Sequence, residues 1–420
     1  MLRLHDTAFA TVRELSPRTP GEVSMYVCGP TVYGPPHAGH GRMALVWDVL
    51  RRYLEWRGQR VRFVSNITDI DDKIINRAAE EGRSAGEVAA EYEALWYRTM
   101  DALGVRRPDE DPHATAYVPQ MVELISRLVD DGLAYETADG VYFSAACVAD
   151  YGLLAHQALA DMRSGERVAM VDDKRAPADF SLWKKAKPGE PTWPSPWGPG
   201  RPGWHTECVV MSLGLLGEDF DVHGGGVDLV FPHHENERAQ AVAAGHRFAR
   251  HWVHSGHLTA GGGEKMSKSL GNVLSLPELL ASVDPRAYRL VVLQSHYRSP
   301  MEVSPAGLRA AEVALARIDG LARSLAARGY GVGGGAEADA EVLDRFSRLM
   351  DDDLATPAAM GVVFDAISRA NSALDRGDDA TAAALGAAVL AMAAALGFEP
   401  AAADAALPSE VAALVAERDG

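Results

Sequence analysis

Apolar residues recur at helical spacing through Leu45, Val46, Val49, Leu50 and Leu54, just behind a short β-prone run at residues 24–27 that Gly29 and Pro30 interrupt. The pattern predicts a strand, a turn and a helix that gains its apolar face from Gly41, runs to about Arg57 and closes at Gly58. A second strand, Val61-Arg62-Phe63-Val64, follows and ends at Ser65-Asn66-Ile67-Thr68-Asp69. Strand, helix and strand at this spacing form a βαβ unit, which implies a parallel sheet with a right-handed crossover. The first 24 residues read as a hairpin-like lead-in.

Farther along, residues 73–103 read as one long helical stretch and 117–131 as another, leading into a strand at Val141-Tyr142-Phe143. From about Ala155 the chain becomes polar and irregular, rich in Pro, Gly and Trp through Trp193, Trp197 and Pro202. Residues 112–200 are therefore taken as an insertion that interrupts the sheet, which resumes near Gly203. Helical periodicity returns from Val283. A glycine-rich linker at 331–335 separates a helix at 306–328 from a helical bundle at 341–396, and the last twenty residues, thin in apolar anchors, are predicted to fray. No internal repeat is visible. The fold class is α/β, a parallel sheet carrying an insertion and followed by an α-helical bundle.

Composition narrows the class of partner. At 420 residues the chain exceeds one ordinary core, and 47% hydrophobic with 24% charged residues is the balance of a soluble protein. The N-terminus lacks an apolar core of signal-peptide length, so a cytoplasmic location is expected. The longest uncharged run, residues 380–398, is mainly alanine and reads as a packed helix, so no membrane span is expected. Three scattered cysteines, Cys28, Cys147 and Cys208, suit free thiols or metal ligands better than a disulfide scaffold. A formal net charge of −17 excludes a protein that coats nucleic acid nonspecifically, while leaving room for a local basic track at Arg286, Arg289, His296 and Arg298.

Candidate chemistry gathers at a few places. His37-Ala38-Gly39-His40 stands at a predicted helix start, where unpaired N–H groups and the helix dipole suit a phosphate and the imidazoles add donors, although an isolated pair of loop histidines is as readily structural. Cys28 sits at the strand end beside it, a common position for a metal or substrate contact in an open α/β sheet. His233 and Glu237 are four apart, so a helix beginning after Pro232 points both the same way. Together with Cys208 they make a reasonable zinc set, but spacing alone fits a buried cysteine pair and a surface His–Glu pair equally well. The triplet Gly224-Gly225-Gly226 before Asp228 either lets a nucleotide approach the backbone or forms a tight turn. Asp69-Ile70-Asp71-Asp72 reads as a helix cap in preference to a metal site. Gly261-Gly262-Gly263-Glu264-Lys265-Met266-Ser267-Lys268-Ser269 combines a hinge with two lysines spaced to fold over a triphosphate.

His37-Ala38-Gly39-His40 together with Lys265-Met266-Ser267-Lys268-Ser269 resembles the two signature motifs of class I aminoacyl-tRNA synthetases. The stretches Met25-Tyr26-Val27-Cys28-Gly29-Pro30-Thr31-Val32-Tyr33, Asn66-Ile67-Thr68-Asp69, Arg201-Pro202-Gly203-Trp204-His205-Thr206-Glu207-Cys208 and Phe231-Pro232-His233-His234-Glu235-Asn236-Glu237 narrow the likeness to the cysteinyl branch. The resemblance runs over about residues 1–300 and continues weakly through the bundle. It implies a Rossmann-like catalytic domain in two halves, 1–111 and 201–260, with a connective insertion at 112–200, a signature-loop and stem-contact region at 261–304, and a tRNA-binding-type bundle at 305–420. Cys28, Cys208, His233 and Glu237 match the family's zinc ligands, and the metal grips the substrate sulfur. His37, His40, Lys265 and Lys268 are implied to be catalytic. Gly29, Thr31, Gly226 and Asp228 join His37, His40 and Lys268 in binding ATP with its magnesium, and Thr68 and Trp204 line the amino-acid pocket. The implied partners are L-cysteine, ATP and tRNA(Cys), with the protein a monomer.

Two departures stand out. Met43 occupies a place where the family usually has threonine, and beyond Arg418-Asp419-Gly420 the family normally continues into a basic segment that helps read the anticodon. The second keeps a rival in play, the cysteine:glucosaminyl-inositol ligase of mycothiol biosynthesis, which shares the adenylation site. A non-catalytic cysteine- or zinc-binding paralogue is a third possibility. Pro30-Thr31-Val32-Tyr33 and the residues around Leu270-Gly271-Asn272 favour the synthetase over the sugar ligase, and a mere binder has no use for a pyrophosphate clamp.

Overall fold

The computed structural model describes residues 1–159, 173–259, 274–330 and 336–399. A hairpin of β1 (Arg3–Asp6) and β2 (Thr11–Glu14) leads into β3 (Glu22–Val27), α1 (Ala38–Trp56) and β4 (Arg60–Ser65). β3 and β4 pair in parallel from Glu22 against Arg60 to Val27 against Ser65, so the first unit is the crossover that its periodicity predicts. The helix begins three residues earlier than its apolar face. His37 is its N-cap, and the cap geometry rather than the hydrophobic pattern fixes that end.

The stretch at 73–103 is two helices, not one. α2 (Asp72–Glu81) ends on Gly82 in the left-handed conformation, and Ser84 opens α3 (Ala85–Ala102) with a reciprocal capping box to Glu87. After α4 (Val118–Asp130) come β5 (Ala134–Glu136), β6 (Gly140–Phe143), β7 (Phe180–Lys185) and β8 (Gly200–Pro202). These four form an antiparallel sheet in chain order, with its own core of Ile125, Leu128, Phe143, Leu182 and Trp183. The tract that reads as irregular therefore carries two strands. Its prolines and glycines mask the short apolar alternation of Phe180, Leu182 and Trp183.

The parallel sheet resumes only at β9 (Val222–Gly226), because residues after Gly203 form α5 (Trp204–Leu216). α6 (Glu235–Ala243) and β10 (His251–Ser255) complete a sheet ordered β10-β9-β3-β4, with β3 at the point where strand order reverses. The glycine triplet lies in β9 and is not a turn. An added Cβ at Gly224 would stand 2.4 Å from the Trp47 ring, so glycine there lets α1 press against the sheet.

Beyond it, β11 (Leu258–Thr259), α7 (Leu276–Leu280), α8 (Pro285–Leu293) and β12 (Met301–Glu302) lead to the helices α9 (Pro305–Ala326), α10 (Ala340–Asp351), α11 (Thr356–Asp375) and α12 (Asp379–Ala395). α12 covers most of the alanine-rich run and packs on α11 and α9. Among the described residues no helix is long and apolar enough to cross a membrane. The linker at 331–335 and the tail from 400 lie outside the described residues.

A buried ion pair joins α8 to α1. Arg289 of α8 donates to Asp48 of α1 at 2.7 Å and to the Gly104 carbonyl at 2.8 Å, with the Leu396 carbonyl at 3.3 Å. Burial pushes the Asp48 carboxyl up, but Arg289 and Arg52 outweigh it and hold the group below its ordinary value. The basic track predicted near here does not exist as free charge. Arg286 is paired with Asp284 and Asp319, Arg298 with Asp353, His296 lies 3.8 Å from Asp353, and Arg289 is buried. Arg289→Ala leaves a buried carboxylate without its main partner and is expected to cost about 3–5 kcal/mol in urea unfolding. Because the folded carboxyl titrates below the unfolded one, this contribution is present above about pH 4 and is lost as pH falls through the folded value, which unfolding curves across pH 3–6 would record.

Candidate active site

Three of the four parallel strands, β3, β9 and β10, deliver their carboxyl ends to one cleft of about 300 Å³, and α2, which follows β4, adds Lys73. Cys28, Gly29, Thr31, His37 and His40 reach it from the loop after β3 and the start of α1, Gly226 and Asp228 from the end of β9, and residues 255–258 from β10. An open parallel sheet binds ligands at this edge, where strand order reverses. The loops after β3 and β4 touch so closely that a Cβ on Gly29 would stand 1.6 Å from the Asn66 carbonyl, and they stay paired as far as Thr31 and Thr68.

The two histidines cap their own helix. His40 N–H donates to His37 Nδ1 at 3.3 Å, His37 N–H donates to His40 Nδ1 at 3.2 Å, and the rings stack 3.7 Å apart. Each Nδ1 acts as an acceptor, so each neutral ring carries its proton on Nε2. Both lysines of the signature loop, Lys265 and Lys268, lie outside the described residues, but the segments flanking 260–273 are anchored at α1. Ala38 N–H donates to the Leu274 carbonyl at 2.9 Å and Leu276 N–H to the Pro36 carbonyl at 3.0 Å. On the other flank, buried Arg42 donates to the carbonyls of His257, His296, Tyr297 and Ser299.

Beneath the cleft the donor atoms of Cys28, Cys208, His233 and Glu237 all lie within 4.8 Å of one another, and all four residues are buried. Cys28 Sγ is 3.5 Å from both Cys208 Sγ and Glu237 Oε1, Cys208 Sγ is 3.7 Å from His233 Nε2, and His233 Nε2 is 3.0 Å from Glu237 Oε1. Four ligands at zinc bond lengths of roughly 2.0–2.3 Å stand about 3.3–3.8 Å apart at the corners of a tetrahedron. The two thiols are free rather than bridged, so this donor set fits a zinc ion. Burial pushes the Cys28 thiol up, with Cys208 and Glu237 adding to it. For Cys208 burial acts the same way, but the Cys28 hydrogen bond and His233 pull it down to about 6. Burial lowers His233, yet Glu237 and Cys208 raise it to about 10, and the imidazoles of His223 and His233 hold the Glu237 carboxyl well below its usual range despite burial.

Sequence reasoning missed the histidines behind this set. His223 Nε2 lies 2.7 Å from Glu237 Oε2, and a chain runs from Cys28 Sγ through His234 and His254 to the Thr7 hydroxyl at 3.2, 2.8 and 2.7 Å. Burial keeps His234 well below its ordinary value and His254 at about 3, so both are neutral. Cys28, His223, His234 and Glu237 also fall within 4.8 Å, but these two histidines are engaged as partners of Glu237, His254 and Cys28. The available signal was a buried-strand histidine in each of β9 and β10, His223 and His254, which hydrophobic patterning does not score. Trp204 lines the cleft and stacks on His233 at 3.9 Å. Thr68 stands behind, 1% exposed, with its hydroxyl donating to Glu207 at 2.8 Å. Met43 lines the cleft wall.

Residues 14–313 match the family described as tRNA synthetases class I (C) catalytic domain. The chain belongs to that family. Residues 345–399 match the DALR domain that accompanies it. A relative named cysteine–tRNA ligase, from Alkalilimnicola ehrlichii, is 48% identical over 390 residues, which span 92% of this chain and 83% of that one. Among solved structures the fold is similar to Mycobacterium tuberculosis methionyl-tRNA synthetase in complex with methionyl-adenylate, with TM-score 0.65, 17% identity and coverage of 89% and 90% of the two chains. It is also similar to the Agrobacterium radiobacter LeuRS–tRNA complex, with TM-score 0.69, 12% identity and coverage of 92% and 85%. For this class I synthetase the donor geometry makes a direct forecast. Cys28→Ser and Cys208→Ser should each lose most of the zinc found by elemental analysis after dialysis, whereas Cys147→Ser, at an exposed thiol, should retain it.

Proposed function

We propose that the protein activates L-cysteine with ATP to cysteinyl-adenylate and transfers the cysteinyl group to tRNA(Cys), as a cytoplasmic monomer. The observation that carries this reading is the thiol, imidazole and carboxylate set directly under a cleft whose rim is the paired-histidine start of α1. The relative's name, cysteine–tRNA ligase, over 92% of the chain supports tRNA as acceptor, and nothing in the site favours an amino sugar.

Cys28, Cys208, His233 and Glu237 are the residues that would hold zinc, with His223 orienting Glu237. When bound, the ion supplies a soft Lewis acid that favours a thiolate over the poorly acidic hydroxyl of serine, so the missing contact rejects serine without editing. Trp204, stacked on His233, and Thr68, fixed through Glu207, shape the amino-acid pocket. Gly29, Thr31, Gly226 and Asp228 face the nucleotide along the strand ends, the glycines allowing close backbone approach.

The cysteine carboxylate attacks the α-phosphorus of ATP and pyrophosphate departs with its magnesium. His37 and His40, each with Nε2–H as donor, follow the charge that develops on the α-phosphate oxygens. Lys265 and Lys268 neutralise the leaving pyrophosphate. The described backbone on both sides of their segment is held to α1, which supports this role. Positioning and electrostatics suffice, and no covalent enzyme intermediate is required.

Purified zinc-loaded protein should exchange pyrophosphate into ATP with cysteine and not with serine, and should charge tRNA(Cys) but not the amino sugar. Failure of cysteine-dependent exchange would favour the non-catalytic binder. Lys268→Ala should lower the rate of adenylate formation by about 10²-fold or more while leaving cysteine affinity near that of the unsubstituted protein. An equal loss in both, read by rapid quench and equilibrium dialysis, contradicts transition-state stabilisation.

A further inference from the structure

The acidic run Asp69-Ile70-Asp71-Asp72 is followed by Lys73, which lines the cleft from the first turn of α2. The three carboxylates of that run are each engaged within the chain. Asp69 accepts from the Thr115 N–H at 2.9 Å and from its hydroxyl, Asp71 caps the helix through the Lys73 N–H at 2.9 Å, and Asp72 pairs with Lys184 at 2.6 Å and with Arg201. Among the described residues Lys73 makes no ion pair, and its ammonium instead rests 5.2 Å from the centre of the Tyr33 ring. It is also the sole lysine or arginine among the described residues that line the cleft. An unneutralised cation in a chain of net charge −17 marks a place where a ligand's negative charge is received.

Topology says which ligand. Lys73 follows β4, at one edge of the sheet, while Gly226, Asp228 and residues 255–258 follow β9 and β10 on the far side of β3. A nucleotide lying against β9 and β10 is therefore separated from β4 by the width of β3. On the β4 side the inserted sheet meets α2, through Lys184 of β7 and Arg201 of β8 on Asp72. The rim there is open, and Lys73 is exposed. A lysine at an open rim is a point charge for a backbone phosphate and carries no base preference.

We propose that Lys73 binds a backbone phosphate near the 3′ end of the acceptor strand as it enters the cleft for the transfer step. The assignment rests on the reading of the protein as a tRNA-charging enzyme. With tRNA(Cys) and the zinc-loaded full chain, Lys73→Gln should lower the ratio of single-turnover transfer to cysteine-dependent pyrophosphate exchange about tenfold, and Lys73→Arg should restore most of it. The slope of log affinity for tRNA against log salt, measured between about 50 and 200 mM, should become shallower by about 0.7 in the Gln variant. A parallel fall in exchange and transfer would overturn the proposal in favour of a nucleotide-phosphate contact. An unchanged ratio and salt slope would reduce Lys73 to a solvated side chain. Failure of the underlying reading has a different signature, the absence of exchange in the unsubstituted protein, and overturns both.

Discussion

A carboxylate fully removed from water sits at the centre of this molecule, and Glu237 is stable there only because two imidazoles face it, His223 at 2.7 Å and His233 at 3.0 Å. That requirement fixes other parts of the fold. His223 must come from the middle of the sheet, so β9 carries a histidine where a parallel strand ordinarily places an aliphatic residue. His233 must come from the turn before α6, four residues from Glu237. The two thiols close the remaining corners from the end of β3 and the first turns of α5. Segments more than two hundred residues apart in the chain, from Cys28 to Glu237, thus meet at one point. The same arrangement concentrates soft donors directly under the strand ends, where an amino acid's side chain would reach them.

Rigidity around this point comes from α1. Trp47 presses on Gly224 of the central strand, Arg42 gathers four carbonyls from the segments around β11 and β12, and Asp48 receives Arg289 from α8. One helix therefore has its N-terminus at the cleft, its face on the sheet and its buried polar groups on the C-terminal half of the chain. A buried guanidinium surrounded by carbonyls tolerates little displacement, because each lost hydrogen bond leaves a charged donor unsatisfied.

The parts of this design that were legible in the sequence are those with local causes. The βαβ unit declared itself through Leu45, Val49 and the strand Val61–Val64 pattern, and His37 with His40 through their place at a helix start. The pairing of His233 with Glu237 followed from a spacing of four. Boundaries failed where a cap outweighed periodicity, as at Ser84, and where short strands lay among prolines, as at β7 and β8. The convergence of Cys28 and Cys208 with that pair is a property of sheet order, which no local pattern encodes. The relay of His234, His254 and Thr7 was invisible for the same reason, since its members come from three separate elements.

Charge was the most misleading local signal, and its failure is instructive. Arg286, Arg289 and Arg298 cluster in sequence, yet the fold turns each toward a carboxylate, Asp319, Asp48 or Asp353, that lies far away along the chain. Arginine's planar fork suits such buried and half-buried pairs, whereas an ammonium is strongly hydrated and keeps to the rim. The division that results is physical: guanidinium groups hold the scaffold together, and among the described residues Lys73 is the one lysine or arginine left on the cleft. A chain of net charge −17 repels a polyanion on the whole, and an exposed cation without an ion pair weakens that repulsion locally. Selective attraction at one mouth of the cleft needs no general basic face, only that the nearby carboxylates be occupied by the protein itself.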